Sequence, residues 1–206
     1  MKLYYIWDAY CGWCFGFKEA LKPFVANHPE LDLEILSGGL FDQGNPLSAY
    51  PHIPGANKQI AQLFHVEFGP AYEELLRDGK LILNSYHAAS GFGTLKAFLP
   101  KEKWLDAAEK LQMAFYHDGK SFSEIETYEE IASEFSIQNS TFSKSLQEAL
   151  GSDNGIHADY ELVRSFGVSS YPTLILEKDG KFYDLRAGAM TADELENNFK
   201  TISALA

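Results

Sequence analysis

Apolar positions recur with two different periods along the chain, and the period changes twice. Leu3 to Trp7 is an apolar, aromatic run of strand length, suited to a central buried strand. Asp8-Ala9-Tyr10 ends it. Phe15 to Asn27 reads as a helix with Phe17, Leu21 and Phe24 on one side. Pro23 lies inside that helix and should kink it, because it lacks an amide hydrogen and crowds the preceding turn. Leu31, Leu33 and Ile35 alternate with Asp32 and Glu34, a second strand closed by Gly38-Gly39. Residues 3–39 thus predict a βαβ unit with parallel strands.

From Phe41 to about Asp153 the pattern is helical. Residues 41–55 are rich in Gly, Pro, Asn and Ser and read as a loop. Ile60, Leu63 and Phe64 begin a helix, Gly69-Pro70 interrupts it, and Tyr72 to Asp78 runs to Gly79 as a C′ residue. Ser85 to Leu99 and Lys103 to His117 are two further helices separated by Pro100. Thr127 and Glu130 match a capping box ahead of Ile131 and Phe135. Phe142, Leu146 and Leu150 predict a helix stopped by Gly151.

Strands then return. Ala158 to Phe166 is a helix ending at Gly167, Thr173 to Glu177 a strand, Lys178-Asp179-Gly180 a turn and Lys181 to Arg186 its hairpin partner. Thr191 and Glu194 cap a last helix carrying Leu195, Phe199 and Ile202. The order is βαβ, a helical block, then αββα, an α/β fold. We divide it into residues 1–40 with 154–206 as one domain and 41–153 as a helical insertion.

Composition narrows the function classes. The 206 residues are 46% apolar and 22% charged, ordinary for a globular chain that needs no stapling disulfide or structural metal. The formal net charge of −12 argues against a nucleic-acid or anionic-membrane partner. No apolar run approaches the length of a bilayer span. The opening MKLYYIWDAY reads as a strand rather than a signal peptide, so the expected location is cytoplasmic.

The chain has two cysteines, Cys11 and Cys14, in Cys11-Gly12-Trp13-Cys14. A disulfide across so short a span closes almost no loop and adds little stability. Zinc would need two more ligands, and the six histidines include no pair at ligand spacing. Redox chemistry is the reading that uses both thiols. Cys11 falls where a strand gives way to a helix, among free amide hydrogens and the positive end of the helix dipole, a setting that favours a thiolate. Cys14, one turn on, can displace a partner bound to Cys11. Cys11 is therefore the candidate nucleophile and Cys14 the resolving thiol. Gly12 and Trp13 shape the loop, Trp13 either as an apolar platform for substrate or as a packed aromatic. Asp8 either caps the turn before Cys11 or relays a proton. His87 begins an insertion helix and reads as a helix-surface or cap histidine rather than a catalytic one, on an insertion that could lean over the cysteines.

A second signal is Val168-Ser169-Ser170-Tyr171-Pro172-Thr173, a proline directly before a strand. Together with CxxC after the first strand, it resembles the thioredoxin fold. The long helical block resembles the DsbA-like oxidoreductases in particular. Asp8 to Gly16, Ala114 to Lys120 and Arg186-Ala187-Gly188 extend the likeness over the whole chain. The resemblance implies that Pro172 is cis and faces the cysteines, and that the Tyr171 backbone binds an extended peptide by strand addition. The candidate substrate-binding residues are then Gly12, Trp13, Tyr171 and Pro172. Tyr171 is bulkier than the residues often found there, so the place of its ring decides access. Cys-Gly-Trp-Cys lacks the histidine of the Cys-Pro-His-Cys found in the periplasmic oxidant, and a less oxidising couple is expected.

The expectation is a thioredoxin-like fold whose insertion covers the site and forms a groove beside Trp13, Tyr171 and Pro172. It acts as a thiol–disulfide oxidoreductase on protein or small-thiol substrates. No cofactor or metal is required; glutathione is a possible co-substrate. Two other readings remain: a glutathione-dependent transferase or isomerase of the kappa-class type, which generally uses serine where Cys11 stands, and a redox-inert peptide-binding module.

Overall fold

A computed structural model of the chain describes residues 1–137, 140–152 and 157–205. The boundary drawn between 153 and 154 lies outside the described residues. Four strands form one sheet in the order β2-β1-β3-β4. β1 (Lys2–Trp7) pairs in parallel with β2 (Asp32–Ser37) on one side and antiparallel with β3 (Thr173–Lys178) on the other. β4 (Lys181–Asp184) is the antiparallel edge. The parallel βαβ unit and the hairpin are as the periodicity predicts, although β4 stops before Arg186. Asp179 and Gly180 both have positive φ, as a two-residue hairpin turn requires.

β1 is central, and its alternation sets the layers. Leu3, Tyr5 and Trp7 join the large core, whereas Tyr4 and Ile6 face the other side with Leu36, Val163 and Ile175. On that second side α8 (Ala158–Ser165) packs on β2. On the first side lies α1 (Gly12–Asn27), which runs through Pro23 and packs against α2 (Ile53–Phe64), α5 (Trp104–Tyr116) and α9 (Ala192–Ser203). The remaining α-helices among the described residues are α3 (Pro70–Asp78), α4 (Ser85–Phe98), α6 (Ile125–Glu134) and α7 (Ser140–Gly151). Core residues of the helical block and of the sheet form a single cluster, so the insertion shares its apolar interior with the strands.

Three expectations are corrected. Part of the 41–55 loop is helical: Leu47–Ala49 is a 3₁₀ turn, and α2 begins at Ile53, with Pro54 in its first turn, where a missing amide hydrogen costs nothing. Thr127 and Glu130 are not a capping box. α6 starts earlier, after Glu124, and the Thr127 hydroxyl donates to the Ser121 carbonyl over 2.8 Å while Glu130 pairs with Lys120. The third concerns the groove and is taken up with the site. The capping box of α9 is present, Thr191 and Glu194 bonding each other's backbone amides.

Candidate redox site

Cys11 is the N-cap of α1. Its backbone is extended (φ −83°, ψ 108°), and its Sγ accepts the amide hydrogen of Cys14 over 3.2 Å, the bond a serine or aspartate oxygen makes at other helix starts. The sulfur thus occupies the place where the helix presents an unused N–H donor, and an anion there is stabilised by that donor and by the dipole. The Cys11 thiol also reaches the Tyr171 carbonyl at 3.6 Å. Both cysteines are free thiols. Cys11 is 4% exposed, and Cys14 is fully buried.

The two thiols differ in environment. Burial pushes the Cys14 thiol well above the ordinary cysteine value, and its contact with the Cys11 thiol pushes in the same direction. Cys14 therefore stays protonated while Cys11 faces a cavity. Tyr5, below them on β1, is held well above the usual tyrosine range by burial and then by the neighbouring cysteines.

The turn before Cys11 is clamped on several sides. The Cys11 amide donates to the Asp8 carbonyl over 3.0 Å. The Asp8 carboxylate is buried, and it accepts the Tyr10 amide on Oδ1 (2.9 Å) and the Leu40 amide on Oδ2 (2.8 Å). Burial raises the pKa of Asp8, and these amides oppose the rise. With both oxygens engaged by backbone donors, Asp8 serves as the cap of the turn and ties it to the segment after β2. The Tyr10 carbonyl accepts the Tyr116 hydroxyl of α5 over 2.6 Å, and the Tyr10 hydroxyl accepts the Phe122 amide over 3.3 Å.

The Tyr171–Pro172 peptide bond is cis. Tyr171 offers its carbonyl to Cys11 and turns its ring away. The ring lies over Gly38, whose absent Cβ would stand 2.2 Å from it, and the hydroxyl donates to the Gly38 carbonyl. Gly39 seats the Tyr160 ring in the same manner. The bulk of Tyr171 is thus packed on the end of β2 rather than over the sulfur.

The cavity at Cys11 has a volume of about 100 Å³. Cys11, Gly12 and Trp13 form one wall, and His52, Asn57 and Ile60 from the α2 side form the facing one. Tyr171 and Pro172 do not line it, which corrects the expected groove: Cys11 meets them through the Tyr171 carbonyl, on a different side. On the cavity side α2 docks closely. Ile60 Cδ1 lies 3.0 Å from where a Gly12 Cβ would be, and the Phe64 ring fills the space a Gly16 side chain would take. Trp13 meets Phe64 edge-on. His87 is elsewhere: its amide is capped by Asn84, and its ring bonds the Ser123 hydroxyl.

Comparison with solved structures decides the architecture. The cytosolic disulfide reductase DsbM from Pseudomonas aeruginosa superposes with a TM-score of 0.82 at 23% identity, with both chains covered completely. The same protein with GSH gives 0.80 at 24% identity, again over 100% of each chain. The fold is DsbA-like. A Nitrosomonas europaea protein, provisionally described as a protein disulfide isomerase, reaches 0.83 at 23% identity over 97% of this chain and 96% of that one. No protein-family profile and no curated protein sequence matches the chain.

Within the DsbA-like fold, three site residues escaped the sequence reading: His52, Asn57 and Tyr116. Asn57 had a signal, since it sits with Ile60 and Phe64 on the buried stripe of α2, where a polar side chain calls for a partner. Tyr116 lay inside the Ala114–Lys120 segment that carried part of the resemblance. His52 had none.

Proposed function

We propose that the protein is a thiol–disulfide oxidoreductase of the DsbA-like family, acting as a dithiol reductase in the cytoplasm. The observation that carries this reading is Cys11 as N-cap of α1, its sulfur bonded by the Cys14 amide and next to the Tyr171 carbonyl. The fold shared with a protein described as a cytosolic disulfide reductase supports it. Among the described residues no helix is long and apolar enough to cross a membrane.

In this mechanism the Cys11 thiolate attacks one sulfur of a substrate disulfide. A Cys11–substrate disulfide forms, and the other substrate sulfur leaves as a thiolate that takes up a proton. Cys14 then loses its proton and attacks Cys11 Sγ. The Cys11–Cys14 disulfide forms, and the second substrate thiol is released. The substrate has gained two electrons and two protons; the enzyme has lost both electrons and the Cys14 proton, and the other proton comes from solvent, which received it when Cys11 ionised. Two equivalents of a small thiol restore the dithiol as they are oxidised to their own disulfide. Glutathione suits this step, and the GSH bound to DsbM supports the assignment. Pro172 and the Tyr171 carbonyl, just before the start of β3, would orient an extended substrate backbone. Burial of Cys14 keeps it a thiol until Cys11 is engaged, which orders the two steps.

The test is Cys14→Ser incubated with a disulfide substrate. Mixed disulfides should accumulate on Cys11, visible by mass spectrometry as adducts of the Cys11 peptide. Trapping through Cys14 in Cys11→Ser would reverse the roles, and no adduct in either protein would end the proposal.

A further inference from the structure

Two cavities lie on either side of one hydrogen-bonded pair. Asn57 of α2 donates an Nδ2 hydrogen to the hydroxyl of Tyr72 of α3 over 3.1 Å, and both side chains are buried. On one side is the cavity of about 100 Å³ at Cys11; on the other is a cleft of about 600 Å³ between α2 and α3. Asn57 and Tyr72 line both.

The volumes constrain the substrate. One water takes up ~30 Å³ of liquid, so the smaller space holds about three waters, or a sulfur with one or two methylenes. The rest of any substrate lies outside it. The cleft is large enough for two or three residues of a peptide, and its chemistry is mixed. Phe68 and Leu76 give it an apolar floor, while Lys58 and Arg77 oppose Glu67 and Glu73 around it. Arg77 is also paired with Glu74. A lining with both signs of charge complements a ligand that carries an ammonium and a carboxylate, and it leaves groups unmatched against a dianion or a bare alkyl chain.

Asn57 stands at the junction with a fixed orientation. Tyr72 takes its amide hydrogen, and its Oδ1 lies 3.5 Å from where a Gly12 Cβ would be, on the Cys11 side. That oxygen is an acceptor for a substrate N–H close to the reacting sulfur.

We propose that the cleft between α2 and α3 is a subsite for the remainder of a short, zwitterionic cysteinyl peptide whose sulfur reaches Cys11, with Asn57 as the specificity-determining residue between the two spaces. The assignment rests on the disulfide-exchange reading, and the experiment separates the two.

The binding arm uses Cys11→Ser/Cys14→Ser and the S-methylated tripeptide Gly-Cys-Gly, so no exchange chemistry is needed. Amide chemical shifts of Val66, Leu76 and Asn57 should move saturably. Shifts confined to Tyr171–Thr173, or none, overturn the subsite. The kinetic arm compares kcat/KM for the Gly-Cys-Gly disulfide with that for 2-hydroxyethyl disulfide, as a ratio taken within each protein so that overall competence divides out. Ala61→Trp, which fills the cleft, should lower the ratio tenfold or more, and Lys58→Glu, on the exposed rim, should lower it several-fold. An unchanged ratio in both overturns the proposal. Failure of the wild type to turn over either disulfide defeats the exchange reading, while the shifts still decide the subsite.

Discussion

Tyr116→Phe removes one oxygen from the link between the helical insertion and the redox turn. The hydroxyl donates to the Tyr10 carbonyl at 2.6 Å, and both residues are buried. The ring itself stays useful without the oxygen: it stacks on Phe15 at 4.7 Å and meets Tyr72 edge-on at 5.1 Å. The variant therefore keeps the buried apolar area and leaves the buried Tyr10 carbonyl without this donor. Leaving a buried acceptor unpaired costs about 1–3 kcal/mol. With a urea m-value of about 2–3 kcal/mol/M for a chain of this size, the unfolding midpoint should fall by about 0.3–1.5 M. The Tyr10 carbonyl belongs to the peptide that leads into Cys11, so the loss should also reach the reaction. If about 1 kcal/mol of it is felt in the transition state, exchange slows about fivefold. Stopped-flow reaction of the reduced protein with a small aromatic disulfide measures this. Tyr128→Phe is the control. Its hydroxyl bonds the Phe122 and His87 carbonyls, away from the cavity, so stability should drop without a slower exchange. An unchanged midpoint and an unchanged rate in Tyr116→Phe would refute the positioning argument.

Gly38→Ala would set a Cβ 2.2 Å from the Tyr171 ring, so the ring must leave its seat; disulfide-exchange rate should fall and unfolding temperature with it, and wild-type values in both would count against the seating. In Cys11→Ser, the raised pKa of the buried Cys14 should leave it unlabelled by iodoacetamide at pH 8 in the native protein and labelled after denaturation, read by mass spectrometry. His28 joins the end of α1 to Glu196 of α9 and to Glu30; burial opposes its charge, but the hydrogen bonds to the two carboxylates outweigh it, and its pKa is raised. Its contribution is complete below the unfolded value of about 6.5 and is lost as pH rises through the higher folded value. The stability advantage of wild type over His28→Gln, from urea titrations between pH 5 and 8.5, should therefore shrink with rising pH; a constant difference would refute the clasp.

What the sequence made legible follows the range of the interactions. β1 was readable because a central strand must be apolar on both faces, and Leu3 to Trp7 is. Asp8 was readable as a cap because its partner, the Tyr10 amide, is two residues away. Gly38 and Gly39 read only as a strand end, yet in the folded chain they seat Tyr171 and Tyr160, and the Tyr171 contact spans 133 residues. The Thr127–Glu130 pattern matched a cap motif and failed because Ser121, on the preceding turn, offered the threonine hydroxyl a carbonyl. Local rules sufficed for β1 and Asp8; at the glycines a distant partner, and at Thr127 a competing nearby group, decided the outcome.

The cysteine pair shows why one sequence motif yields two unlike thiols. Cys11 and Cys14 are three positions apart, and spacing alone gives them equal claims. The helix separates them: its first residues present N–H donors to whatever precedes it, so the sulfur before the helix receives a hydrogen bond from the Cys14 amide, while the sulfur one turn inside is fully buried. Burial raises the pKa of the inner thiol, and proximity to the outer sulfur adds to it. In the proposed exchange, a mixed disulfide on Cys11 would remove the contribution of that thiol to the penalty on ionising Cys14. Under that proposal the inner thiol becomes easier to ionise at the point where its attack is needed.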